Sequence, residues 1–275
     1  MSKIKYYDRP VLFYFLSTFI TWVAWGIAAI LSHVYPQNEA LCALLLFLGL
    51  ISPAVVAFTL MYSNNKLRND FFPRLLQFSN IKPIYIVLAF FLMPLGIVLA
   101  QFISLLFGYS TEQFSLSHEP SFTAPLLSVW VVLFLAPVIE EMAWHSYGTD
   151  CLRAKFNLFT TCLMFSLFWA IWHLPLSFVK GYYQSNLIEI SWLHSLNFSI
   201  SIFPFVFLMN WLYYKSGRSI LLAIIFHMSG NFSSEIFSTH PDTKIIYTIL
   251  LTLLSAMIIC VEKNMFFKKI GETGV

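Results

Sequence analysis

Runs of about 20 apolar residues recur along this chain, separated by short polar connections, and that recurrence limits its fold more than any other feature. A backbone surrounded by hydrocarbon must satisfy its own N–H and C=O groups, so such runs become helices. Of the 275 residues, 59% are hydrophobic and 11% charged, and the mean hydropathy of +0.75 leaves too little polar surface for a water-soluble domain. The runs map to residues 11–35, 40–62, 84–108, 126–152, 157–178, 192–214, 219–237 and 244–261. The expected fold is therefore all-α: a polytopic bundle of about eight transmembrane helices, forming a single transmembrane domain over residues 1–275.

Basic residues orient the bundle. Lysine and arginine collect in cytoplasmic loops. Here 14 of the 16 fall on one side, from Lys3, Lys5 and Arg9 through Arg153 and Lys155 to Lys268 and Lys269, leaving only Lys180 and Lys244 on the other. Both termini are thus expected in the cytoplasm. The net charge of +3 is spread over loops and forms no nucleic-acid patch, so lipid is the expected surrounding partner. Cys42, Cys151, Cys162 and Cys260 lie within or at the ends of apolar runs, where they read as small packing residues. The first run is too long for a cleaved signal and reads as a retained span. Residues 63–83, with Phe71, Phe72, Leu75 and Leu76 among charges, suggest an amphipathic stretch on the cytoplasmic surface.

Ionisable groups inside a bilayer cost at least about 2.5–3.5 kcal/mol, which makes the few present here functional candidates. Glu140 and Glu141 lie in the fourth run with His145 one turn on, His173 in the fifth, and His227 and Asn231 in the seventh. Glu141 and His145 are four apart and share a helical face, whereas Glu140 points about 100° away from Glu141. His227 and Asn231 share a face in the same way. Such groups suit hydrolysis by water: a desolvated glutamate is a general base, a histidine relays the proton, and Asn and His donate to an oxyanion. A paired glutamate could instead hold helices together or carry protons in a transporter, and His145 could be a local partner of Glu141. His33, His194 and Glu235 sit toward outer span ends, where interfacial solvation is expected, and Asp150 lies near the inner end beside Arg153.

Taken in order, Glu140-Glu141 with Trp144-His145, Trp169 to His173 with Leu174-Pro175, and His227 to Asn231 resemble the CPBP family of intramembrane endopeptidases. That family includes Ras-converting type CAAX prenyl proteases and bacteriocin-processing or self-immunity proteins. Its pattern is a Glu-Glu pair with Arg four residues after the second Glu, an aromatic four before a His, and a His four before an Asn. The motif-bearing core runs over about 126–231. The resemblance implies Glu140 as the water-activating carboxylate, His173 as its partner, His227 and Asn231 as the oxyanion pair, and Glu141 and His145 in support. Two positions depart from the pattern. His145 stands where arginine is usual and removes a permanent guanidinium, and Trp169 stands where phenylalanine is usual.

The prenyl protease branch implies a prenylated CAAX protein or peptide as substrate, cut after the modified cysteine to release the last three residues. An intramembrane site suits it, because the isoprenoid can remain in lipid. Water activated without metal or other cofactor is the expected mechanism; zinc bound by glutamate and histidines is the competing one. A proton-coupled transporter would need ionisable groups continuing toward both faces, and no such chain is evident. A noncatalytic immunity protein would tolerate alanine at Glu140.

Overall fold

The computed structural model describes residues 3–76, 81–117, 120–124 and 126–270. Among them no strand forms; the architecture is helical throughout, with one isolated bridge between Leu116 and Phe237. The helices are α1 (Pro10–Val34), α2 (Glu39–Tyr62), α3 (Asn65–Leu76), α4 (Pro83–Leu105), α5 (Val129–Ala143), α6 (Thr149–Arg153), α7 (Leu158–His173), α8 (Tyr183–Ile190), α9 (Trp192–Lys215), α10 (Ile220–Glu235), α11 (Pro241–Val261) and α12 (Lys263–Phe267). Proline, which needs no intrahelical N–H partner at the first position, opens α1, α4 and α11.

Among the described residues, seven helical stretches are long and apolar enough to cross a membrane: α1, α2, α4, Val129–Arg153, Leu158–Phe178, α9 and α11. The protein is an integral, multi-pass membrane protein. The seventh apolar run of the sequence differs from expectation, since α10 has 16 residues and is about 24 Å long against a hydrocarbon core of about 30 Å. Its neighbours explain the shortness. It packs against α4, α5 and α9, so protein rather than lipid satisfies much of its length.

Side-chain size sorts the faces. On α1, Ser17, Thr21, Ala24 and Ala28 turn inward while Phe15, Phe19, Val23 and Ile30 point out. Small residues let α2 approach closely, as membrane helices without a hydrophobic drive between them require. Trp25 Nε1 donates to Leu46 O at 2.9 Å, and a Cβ on Gly49 would meet that indole at 2.1 Å.

Helix α3 is the amphipathic surface element expected within 63–83; residues 77–80 of that stretch lie outside the described ones. Its inward face, however, carries Asp70 and Arg74 beside Leu67 and Phe71. Arg74 reaches Asp150 Oδ2 (2.9 Å), Tyr213 Oη (2.6 Å) and Tyr7 Oη (2.6 Å). Arg218 Nη2 pairs with Asp70 Oδ2 at 2.8 Å and with Asp150. Two guanidinium groups and two carboxylates are thus buried together. Asp150 is fully buried within this network rather than paired with Arg153, whose guanidinium instead donates to Phe156 O and Lys268 O.

Candidate active site

The span carrying the two glutamates is not a uniform α-helix. Residues Trp144–Gly148 form a π-helical turn between α5 and α6. Widening the turn frees carbonyls from the helical ladder. Arg74 uses them: its Nη1 donates to His145 O at 3.1 Å and its Nη2 to Ser146 O at 2.9 Å, with Tyr213 Oη also donating to His145 O at 2.9 Å. The buried charge network therefore grips the backbone immediately after the Glu-Glu pair.

The 100° between adjacent helical residues sends the two carboxylates to different places. Glu140 lines a cavity of about 610 Å³, together with His173, His227 and Asn231. Its Oε2 accepts from Trp169 Nε1 at 3.0 Å and from Trp144 Nε1 at 3.3 Å, which leaves Oε1 for a bound water. Glu141 is fully buried and points into the bundle, where Oε1 accepts from His227 Nδ1 at 2.7 Å and Oε2 meets His145 Nδ1. A His–Glu–His chain results, with His145 at its closed end against Phe165 and Tyr213.

These bonds fix which ring nitrogens remain for chemistry. A carbonyl can only accept, so the 2.8 Å contact from His173 Nδ1 to Trp169 O places a proton on Nδ1 and leaves Nε2 with a lone pair when the ring is neutral. His173 is thus held in the tautomer of a base. His227 donates from Nδ1 to the Glu141 carboxylate, and when doubly protonated it also offers Nε2–H. Two carboxylates, Glu141 in contact and Glu140 within electrostatic reach, stand ready to balance that charge. Asn231 follows one turn along α10, its carboxamide on the same cavity. No direct hydrogen bond joins Glu140 to His173 among the described residues; they meet across the cavity. Nor do three His, Cys, Asp or Glu side chains gather there into a cation site among those residues.

The cavity is mostly apolar, with Leu44 and Phe47 of α2, Leu133 of α5 and Leu127 just before α5 on its walls. Leu44, Phe47 and Leu127 are about half exposed on the outside of the bundle, so this wall is continuous with the lipid-facing surface. The same lining also has a polar end, on the side away from the termini, with His194, Asn197, Glu235 and Lys244. Contrary to an interfacial, solvated glutamate, Glu235 is buried and accepts from Ser121 N at 3.0 Å and Ser121 Oγ at 2.8 Å.

Residues 122–233 match the family model described as type II CAAX prenyl endopeptidase, Rce1-like. A relative in Methanococcus maripaludis, named CAAX prenyl protease 2, is 39% identical over 276 residues, covering 98% of this chain and 100% of the relative. The chain belongs to the Rce1-like CAAX prenyl endopeptidase family. Within that family its tryptophan at 169 is more than a larger aromatic, because the indole supplies a hydrogen bond to Glu140 that phenylalanine lacks. Trp144 was likewise legible only as an aromatic neighbour, although its spacing of four from Glu140 put it on the same face. At position 145 the histidine keeps a donor on Glu141 in place of the guanidinium, and Arg74, arriving from α3, supplies the permanent charge to the backbone instead.

Proposed function

We propose that this protein is an intramembrane endopeptidase that cuts a prenylated CAAX terminus after the prenylcysteine and releases the last three residues. One observation carries the reading: a single cavity joins a lipid-continuous apolar wall to Glu140, His173, His227 and Asn231. An isoprenoid lies along α2 and α5 while its attached peptide reaches polar groups. Water held at Glu140 Oε1 attacks the prenylcysteine carbonyl, and its proton passes to Glu140 or to His173 Nε2. Asn231 Nδ2–H and His227 Nε2–H face the oxyanion. The C–N bond then breaks, and the same acid returns the proton to the departing amine of the tripeptide. Glu141 orients His227, and His145 holds Glu141.

Water activation in this reading is metal-free. Glu140 is occupied on Oε2 by two indole donors, an arrangement that suits a carboxylate held for water. The basic residues further support cytoplasmic termini and one transmembrane domain over the whole chain.

Purified protein reconstituted in lipid, given a farnesylated or geranylgeranylated CAAX peptide and its unprenylated twin, tests the function. Cleavage of the prenylated peptide alone, at the bond after cysteine, is expected, with activity retained after exhaustive chelation. Equal cleavage of both peptides would reject the lipid-anchored reading. Activity lost on chelation and restored by stoichiometric zinc would replace the metal-free mechanism and make Glu140, His173 and His227 the ligands.

A further inference from the structure

Among the described residues lining the cavity, Lys244 is the one lysine or arginine. It stands in the first turn of α11, at the polar end. It is also one of only two basic residues on the non-terminal side of the bundle, so charge bias toward the cytoplasm does not account for it. Its ammonium lies 3.4 Å from Tyr183 Oη and 5.4 Å from that ring's centroid, both neutral partners. None of the ion pairs among the described residues includes it. The carboxylate within its electrostatic reach, Glu235, is already held by Ser121.

We infer that Lys244, with the Tyr183 hydroxyl, binds the C-terminal carboxylate of the substrate and so measures three residues from the scissile bond. The inference rests on the endopeptidase reading, which ends the substrate in a free carboxylate three residues beyond the carbonyl attacked. Length supports the match. From His227, at the proposed oxyanion position, to Glu235, within electrostatic reach of Lys244, is eight residues of α10, a rise of about 12 Å. Three extended residues span about 10–11 Å. Lys244 Nζ donates to Tyr183 Oη, which leaves the phenol proton free to join the ammonium on one carboxylate. A mostly apolar cavity strengthens such a pair, and Glu235 beside it disfavours a carboxylate placed off the ammonium. A chain continuing past the third residue would bring no terminal charge to the lysine.

The test compares one prenylated CAAX peptide as the free acid and as the C-terminal amide, on wild type, Lys244→Met and Lys244→Arg, with thermal unfolding of each variant as the control for folding. Wild type is expected to favour the acid about ten- to hundredfold in kcat/KM, mainly through KM. Lys244→Met should lower the acid to the level of the amide and leave the amide unchanged, while Lys244→Arg keeps the preference. A wild type indifferent to acid and amide overturns the inference, as does a Lys244→Met variant that slows both peptides equally or retains the preference. Folded wild type inert toward both peptides would instead reject the endopeptidase reading beneath it.

Discussion

At Glu140, two indole donors on one oxygen and a cavity at the other separate holding the carboxylate from using it. Glu140→Ala and His173→Ala are expected to abolish cleavage in folded protein, because in the proposed mechanism each removes a proton acceptor for the attacking water. Near-normal turnover by Glu140→Ala would reject that role. Asn231→Ala removes the proposed oxyanion donor, worth about 10²–10³ in rate, and should lower kcat while substrate still binds. Trp169→Phe is gentler: one hydrogen bond to a charged group is worth about 1.5–3 kcal/mol, so kcat should fall about ten- to hundredfold with KM little changed. An unchanged kcat would mean that Trp144 alone suffices to hold Glu140. The divergence of Glu140 from Glu141, and the shared face of Glu141 and His145, followed from spacing alone, with the pairing of the last two left as one of two readings. The indole bonds did not, because a tryptophan on a hydrophobic helix reads as packing until the partner helix is placed opposite it.

Between the glutamates and the charge network stands the π-helical turn Trp144–Gly148, whose free carbonyls Arg74 takes up. No proline or glycine pattern in the sequence announces that turn, and its stabilising partner is 71 residues away, so only the assembled bundle reveals it. The same network holds Arg218 at φ 69°, a left-handed conformation costly for a residue with a side chain, by binding it to Asp70 and Asp150. Breaking a buried ion pair from one side strands its partner, at about 3–5 kcal/mol. Arg74→Met should therefore lower stability by that order in thermal or denaturant unfolding and reduce activity through misplacement of Glu140 and Glu141, with no such loss for Arg68→Met, whose guanidinium is only half-buried and bonds Asn65 one turn away. A fully stable and active Arg74→Met would detach the network from the site. The long helices were legible from hydrophobic runs, except for the length of α10, whereas the short α8 and α12 fall between or after those runs. Its apolar sequence reads as a span because packing against α4, α5 and α9 demands the same residues as lipid does.

For the whole molecule, the bias of basic residues and the shape of the cavity bear on one question, the side from which substrate arrives. The polar end of the cavity, with His194, Glu235 and Lys244, lies at the end of the bundle opposite the termini. If the termini are cytoplasmic, as proposed, a cytoplasmic prenylated chain is expected to reach Glu140 by lateral entry along α2 and α5, lipid first, rather than through that polar end. Orientation can be measured directly. Cys42, Cys151 and Cys162 are buried and Cys260 is exposed, so a Cys260→Ser background has little reactive thiol of its own. Lys155, beside the terminal end, and Glu112, in the turn after α4, are both exposed and lie on opposite sides of the bundle. In intact cells, Glu112→Cys should react at once with a membrane-impermeant maleimide, and Lys155→Cys only after permeabilisation. The reverse pattern would invert the molecule and overturn the charge rule for this chain. It would also turn the cavity's polar end toward the cytoplasm, so that a CAAX terminus would enter carboxylate first.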